Sequence, residues 1–269
     1  MSNTEQVHKQ DLERLKSFRY IDDDFMTVCL ADNVEGVELI LRILLGREDI
    51  KIKSVRTQEP MKNLQGRSAV LDIHAIDSTK KEYDIEIQRS DAGAGAKRAR
   101  HNSSLLDAHI LKPKEDTEKM PDSYVIFITE NDVMKGELPL YPVERYVTVG
   151  DNKVLFGDGS HILYVNGKYR GNDEIGKLMY DFSCIDPDDM NYEELAQKAR
   201  YFKRDEKRVA AMCKMMEDMR KEVELKSARE TAKRMIQKGK MTLEDIADCV
   251  PILSFDELKE IEAEVLQLA

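Results

Sequence analysis

The sequence predicts an α/β fold: a core in the order helix, three strands, helix, strand, followed by a helical C-terminal extension. Two stretches, 50–60 and 68–88, have the alternating apolar residues that are typical of strands. Helical patterns at 33–46 and 96–111 lie on either side of them. A short continuous apolar run at 123–129 indicates a buried strand after the second helix.

The first helix, 33–46, has clear start and stop signals. Asn33 is a good capping residue, and Gly46 is a typical helix end. Glu38 and Arg42 lie on the polar side, four residues apart, at the spacing of an ordinary ion pair. The apolar residues recur at helical spacing and predict one buried face: Val34, Val37, Ile40, Leu41, Leu44 and Leu45.

Two strands joined by a polar turn are expected in 68–88. Side chains alternate between the faces of a strand, so Asp72 takes one face of the first strand, and Glu86 and Gln88 share a face of the second. Adjacent strands can therefore bring Asp72 and Glu86 together, and paired carboxylates are hard ligands suited to Mg²⁺ or Mn²⁺. The spacing alone fits a half-solvated hairpin equally well.

The helix at 96–111 begins with Lys97, Arg98 and Arg100. Cations at this end oppose the helix dipole, so they have no local reason to be there. A phosphate partner would supply a reason, and a solvated basic face is the alternative.

The chain beyond the α/β domain, which we expect to span 1–170, is predicted to form a helical region over 171–269. Residues 191–238 contain almost no Gly or Pro and predict one long helix or two shorter ones. Two capped helices follow, starting at Thr242 and Ser254. The last helix is acidic, which argues against a DNA-reading helix. Four methionines suggest apolar packing or self-association through the C-terminal helices: Met212, Met215, Met216 and Met219.

Composition narrows the classes of protein. The 269 residues suffice for one domain with a helical appendage, and their net charge of −10 argues against a dedicated nucleic-acid binder. A local basic strip can still contact DNA on a protein that is acidic overall. Four cysteines far apart fit reduced thiols, and neither a signal peptide nor a membrane helix is evident. We therefore expect a cytoplasmic protein without a membrane partner.

Several blocks resemble a known family. Leu-Asp at 71–72 followed by Ile-Glu-Ile-Gln at 85–88 is similar to the PD-(D/E)XK nuclease superfamily. The resemblance continues through AGAKRARHNSSLLDAHI (94–110), YVIFITEND (124–132) and LMYDFSCIDPDDMNYEELAQKARYFK (178–203). More narrowly, the chain resembles the PD-(D/E)XK nuclease family transposases, or recombination-promoting nucleases, over most of its length. The resemblance implies the restriction-endonuclease-like core.

The resemblance also implies roles for individual residues. Asp72 and Glu86 would hold one or two Mg²⁺ (or Mn²⁺) ions, and Arg98 would approach a DNA phosphate. Gln88 stands where the superfamily usually has Lys, although the nearer family commonly has Gln there. Gln can orient a water molecule but carries no charge. Glu38 is the candidate for the acidic residue that the first core helix often supplies.

The expected function is a metal-dependent DNA endonuclease of the recombination-promoting, transposase-family type, with DNA as its partner. An inactive nuclease fold that acts as a binding or interaction module is the alternative, favoured by the net acidity and by Gln88. A true transposase is not favoured, because no third, distant acidic residue is assigned to a triad.

Overall fold

The computed structural model describes residues 3–63, 67–111, 114–239 and 241–267. It divides the chain into two compact units, one of Lys16–Asp205 and one of Met1–Leu15 with Glu206–Ala269. The boundary therefore lies at 205, where we expected 170. Residues 171–205 contain two helices, in line with the predicted helical region, but six of their apolar side chains are buried within the α/β unit: Leu178, Met179, Phe182, Leu195, Ala196 and Ala199.

The α/β unit is built on a mixed six-stranded sheet in the order β1-β2-β3-β4-β8-β5. The pairs β1–β2, β2–β3 and β5–β8 are antiparallel, whereas β3–β4 and β4–β8 are parallel. A separate two-stranded hairpin, β6–β7, follows β5. The strands are β1 (Ile52–Met61), β2 (Ala69–Asp77), β3 (Glu82–Gln88), β4 (Ser123–Thr129), β5 (Leu140–Val143), β6 (Tyr146–Val149), β7 (Asn152–Leu155) and β8 (Ser160–Asn166).

Local signals fix the first helices and the β2–β3 turn. Asn33 accepts a hydrogen bond from the Gly36 amide at 3.1 Å, and Gly46 ends the helix in the left-handed conformation. At the turn, Oδ1 of Asp77 accepts from the amides of Thr79 and Lys81. The helices of the α/β unit are α2 (Asp23–Leu30), α3 (Val34–Leu45), α4 (Ala96–Ile110), α5 (Glu174–Ser183) and α6 (Glu193–Arg204).

Helix α4 covers the centre of the sheet. Its Ala99 and Leu106 join a buried cluster with Val125 and Phe127 of β4 and Leu71 of β2. Helices α2 and α3 pack against β1, and α5 and α6 pack against α3. The strands β3 and β4 are thus almost wholly buried, so polar side chains on them must satisfy one another or a ligand.

The second unit is helical: α1 (Asn3–Ser17), α7 (Glu206–Lys238), α8 (Leu243–Cys249) and α9 (Phe255–Gln267). Both predicted caps are present, with Thr242 bonded to the Asp245 amide and Ser254 to the Glu257 amide. Met212 is buried, while the side chains of Met215, Met216 and Met219 lie outside the described residues. The apolar core of α7, α8 and α9 consists of Ala228, Ala232, Ile246, Val250, Leu253, Leu258, Ile261 and Val265. Within the described ranges, no helix has both the length and the apolar content needed to cross a membrane.

Candidate active site

Asp72 and Glu86 lie side by side on adjacent strands. The amide of Asp72 donates to Oε1 of Glu86 at 3.4 Å, and the amide of Ile87 donates to Oδ2 of Asp72 at 3.1 Å. Each carboxylate therefore bonds to the backbone of the opposite strand. Asp72 is 7% exposed and Glu86 is 0% exposed.

The register of the sheet explains this meeting. Ile73 pairs with Ile85 in the β2–β3 ladder, which brings the residues on either side of that pair close together. On the other flank, Glu86 pairs with Phe127 of β4. The carboxylates consequently point to the face that α4 covers, as the parity of the two strands predicts.

A third carboxylate, Asp84, lies on the same face of β3 and is fully buried. Its Oδ2 accepts from the Asn102 amide group of α4 at 3.2 Å. Burial, and then the charge of Glu86, raises the pKa of Asp84 well above its ordinary value. Compared with an exposed aspartate, Asp84 is therefore shifted towards its protonated form, and its Oδ1 has no hydrogen-bond partner among the described residues. Strand alternation places Asp84 on the face of Glu86, whereas nothing in the sequence indicated Asn102.

Arg98 provides the nearest positive charge. Its Nη2 donates to Oε2 of Glu86 at 2.5 Å, and its Nη1 donates to the Gly93 carbonyl at 3.2 Å. The guanidinium also lies 5.9 Å from the centre of the Phe127 ring. Arg98 covers Glu86 on one side. Its own side chain is 41% exposed, so it also reaches solvent. Asn102 follows Arg98 by four residues, so both lie on one side of α4.

The site holds more negative charge than its neighbours neutralise. Burial, then the charges of Glu86 and Asp23, raises the pKa of Asp72 to about 7. Burial also raises the pKa of Glu86, although Arg98 opposes the shift. The sequence did not indicate a role in the site for Asp23, at the start of α2. This helix is distant in the chain from β2 and β3, and acidic residues at the start of a helix are explained by the helix dipole alone.

Gln88 lies at the end of β3, two residues beyond Glu86. An ideal Cβ built on Gly93 would lie 1.9 Å from Oε1 of Gln88, so the missing side chain of Gly93 makes room for the amide. The same hypothetical Cβ would lie 3.6 Å from Nη1 of Arg98. Gly93 thus leaves space for the Gln88 amide, whereas a side chain at this position would make only ordinary contact with Arg98.

Glu38 does not reach this site. It pairs with Arg42, and its Oε2 accepts from the Ile52 amide at 2.9 Å. Ile52 pairs with Asp77, at the far end of β2 from Asp72, and five strand residues span roughly 16 Å. The suggestion that Glu38 adds an acid to the metal site is therefore not supported by its position. Glu38 instead forms the ion pair with Arg42 that the four-residue spacing indicated.

A cleft of about 700 Å³ opens beside the carboxylates. Asp72 and Asn102 contribute to its wall, and so do three basic residues, Arg67, Lys97 and Arg98. Among the described residues, the cleft therefore has one carboxylate, that of Asp72, and a rim of three basic side chains. Phosphate groups of a nucleic acid match the rim in charge.

The donor set fits a magnesium-type ion. Mg²⁺ is usually held by one or two carboxylates, with water and substrate phosphates completing its shell. Asp72 and Glu86 supply such a pair in a buried setting, and Arg98 is bonded to Glu86. No group of three or more His, Cys, Asp and Glu side chains in the described ranges could form an all-protein metal cage.

Known proteins give no independent guide to this site. None of the protein-family models, curated proteins or solved structures compared with the chain matches it.

Gly93→Ala is expected to lower the activity proposed below about tenfold while leaving the chain folded. The new methyl group would displace the Gln88 amide, whose flexible end can move without disturbing the sheet. Gly95→Ala is the matched control, because its nearest neighbour would be a backbone oxygen at 4.0 Å. Gln88→Ala should lose activity to a similar extent, and equal rates for all three variants and wild type would remove Gln88 from the mechanism.

Proposed function

We propose that the protein is a metal-dependent DNA endonuclease that hydrolyses phosphodiester bonds with Mg²⁺ or Mn²⁺. One observation carries the proposal: the buried Asp72 and Glu86 carboxylates are bonded reciprocally across two strands, and Asp72 lies at the wall of a cleft with a basic rim. Such a site offers one or two ligands to the ion and leaves room for a phosphate.

The order of elements supports a PD-(D/E)XK core. Helix α3, strands β1 to β3, helix α4 and strand β4 follow one another as in that superfamily. The carboxylates come from the second and third strands, as the resemblance implied. We infer a recombination-promoting nuclease of the transposase family, with Gln88 in the place of the usual lysine.

Each side chain has a task in this mechanism. A divalent cation between Asp72 and Glu86 would activate water and offset the charge that develops on the scissile phosphate. Gln88 would orient the attacking water through its amide, without adding charge. Asp84, which lies on the same face of β3 and is anchored by Asn102, would help to keep Glu86 in position.

Arg98 would change partners during the reaction. In the free protein it balances Glu86, and its exposed guanidinium lies on the cleft wall. Once the charge of Glu86 is balanced otherwise, Arg98 can turn to a DNA phosphate, for which its planar fork is suited.

Arg98→Gln is therefore expected to weaken DNA binding and to reduce the slope of log affinity against log salt concentration by about 1. Binding should be measured with Ca²⁺ in place of Mg²⁺, over a series of salt concentrations. Arg100→Gln is the matched control, because Arg100 lies on the same helix but not on the cleft wall. Identical slopes for the two variants would contradict a phosphate contact at Arg98.

The decisive test of the function is cleavage of supercoiled plasmid, linear duplex and single-stranded DNA by the purified protein. Cutting should require Mg²⁺ or Mn²⁺ and stop when the metal is chelated. Should no DNA form be cut with either ion, the chain would be better described as an inactive nuclease fold that acts as an interaction module.

A further inference from the structure

A small basic pocket lies at one edge of the central sheet, apart from the cleft beside Asp72. Its volume is about 170 Å³, below the roughly 300–1,000 Å³ that is typical of pockets for drug-sized ligands. Four charged residues line it, three of them cationic and one anionic: Arg19, Lys168, Arg170 and Glu130. On a chain with a net charge of −10, this pocket therefore has a local excess of positive charge.

The pocket lies beyond the carboxyl ends of two parallel strands. Strands β4 and β8 end at Thr129 and Asn166, and the lining residues Glu130 and Gly167 follow them directly. Open α/β sheets commonly bind their ligands outside such strand ends. Gly167 allows β8 to end close to β4, because an ideal Cβ built on it would lie 2.3 Å from the Thr129 carbonyl oxygen.

The negative charge of Glu130 is already balanced. Arg19 pairs with one of its carboxylate oxygens at 3.0 Å, and Arg89 pairs with the other at 3.4 Å. Both arginines also pair with Asp22 at 3.1 Å. These two cations and two anions form a neutral network, so the excess positive charge of the pocket comes from its other two cationic residues.

Arg170 is held in place without a carboxylate. Its Nη1 donates to the carbonyls of Gly167 and Tyr169 at 2.6 and 2.8 Å, and its Nη2 donates to Oγ of Ser183 at 2.8 Å. Three bonds leave two of the five N–H donors of a guanidinium for a ligand. Partial burial lowers the pKa of Arg170, whereas a neighbouring carboxylate would raise it. Among the described residues, neither Arg170 nor Lys168 forms an ion pair, and both are exposed to a ligand from solvent.

We propose that this pocket binds a phosphate group through Lys168 and Arg170, and that the phosphate is either free or part of a DNA strand. Arginine binds phosphate through paired N–H groups, and lysine adds a point charge. The other side of the pocket is apolar and buried, with Ile21, Met179 and Phe182. Such surroundings strengthen the attraction between opposite charges.

The pocket is close enough to the candidate active site for one DNA strand to contact both. Gln88 pairs with Thr129, and Thr129 pairs with Asn166, so two strand spacings of about 4.8 Å separate Gln88 from the residue before Gly167. The resulting distance of roughly 10 Å corresponds to about three nucleotides at a rise of 3.4 Å each. A phosphate from DNA rests on the endonuclease function proposed above, whereas binding of a free phosphate does not.

Isothermal titration calorimetry of the full chain with inorganic phosphate, at constant ionic strength and with a chelator present, tests the pocket. Wild type should bind phosphate saturably. Arg170→Gln should weaken binding about tenfold and Lys168→Gln about threefold. Arg145→Gln is the matched control, because Arg145 is also an exposed arginine but lies beside Ser160, at the opposite end of β8.

Lys168→Gln keeps the test sharp if Arg170→Gln disturbs the backbone that its guanidinium holds. Lys168 is exposed, and its own backbone amide, which the substitution retains, donates to Asn166. Circular dichroism should show that Lys168→Gln and Arg145→Gln remain folded. A wild type that does not bind phosphate, or equal affinities for Lys168→Gln, Arg145→Gln and wild type, would overturn the proposal.

Repeating the titration with a duplex oligonucleotide present identifies the source of the phosphate. DNA that reaches the pocket should lower the apparent affinity of wild type for inorganic phosphate, and the chelator prevents cleavage. An unchanged affinity would assign the pocket to a free phosphate and overturn the DNA source. A chain that binds phosphate at Lys168 but neither binds nor cuts DNA would refute the endonuclease function and support the pocket.

Discussion

Asp72→Asn and Glu86→Gln are each expected to lower the rate of Mg²⁺-dependent DNA cleavage about 1,000-fold. Each substitution removes one of the two charged ligands but keeps an oxygen that can accept the hydrogen bond from the opposite strand. Loss of the ion's contribution corresponds to several kcal/mol in the barrier, and each 1.36 kcal/mol is tenfold in rate. Circular dichroism should show that both variants remain folded.

Glu38→Gln is the matched control for these two variants. Its carboxylate binds Arg42 and the Ile52 amide at the far end of the sheet, so cleavage should continue at the wild-type rate. All proteins should be purified in parallel and assayed with and without a chelator, because contaminating nucleases also cut plasmid. Equal cleavage by wild type and Glu86→Gln would remove this pair of carboxylates from the mechanism.

Asp72→Asn is also expected to raise the free energy of unfolding by roughly 3 kcal/mol at pH 8 without metal, and by far less near pH 4. The folded chain holds the pKa of Asp72 at about 7, above its ordinary value of 3.8, chiefly through burial and the charge of Glu86. Between these two values the folded state binds a proton that the unfolded state has released. The free energy of unfolding of wild type therefore falls as the pH rises from 3.8 to about 7. Above pH 7 it stays at the lower value.

Urea unfolding at several pH values, with a chelator present, measures this difference. The gap between Asp72→Asn and wild type should widen from pH 4 to pH 7 and then level off. Added Mg²⁺ should stabilise wild type at pH 8 and have little effect on Asp72→Asn. A variant that is less stable than wild type at pH 8 would show that Asp72 serves the fold rather than a ligand site.

The sequence predicted those features that depend on local patterns. The helix over Val34–Leu45, with Asn33 and Gly46 at its ends, follows from periodicity and capping. Strand β4 was predicted with the right bounds, because a continuous apolar run between polar loops is a strong strand signal. Strand parity and a short turn allowed Asp72 and Glu86 to meet, and the family resemblance favoured this arrangement over a half-solvated hairpin.

Features that depend on distant contacts could not be predicted in this way. Asp23 reaches the site only because α2 packs against the sheet, and Asn102 reaches it only because α4 crosses β3. The unit boundary at 205 depends on the burial of α5 and α6, which a change in composition at residue 174 does not reveal. Glu38 had the right residue type on the right helix, but its position along that helix directs it to Ile52.

Diffraction from crystals soaked in Mn²⁺, with data collected at the manganese absorption edge, tests the central claim most directly. We predict an anomalous peak about 2 Å from a carboxylate oxygen of Asp72 and from one of Glu86, with the Arg98 guanidinium moved away from Oε2 of Glu86. A map with no peak at these carboxylates, or with the ion bound elsewhere and Arg98 still paired with Glu86, would contradict the account.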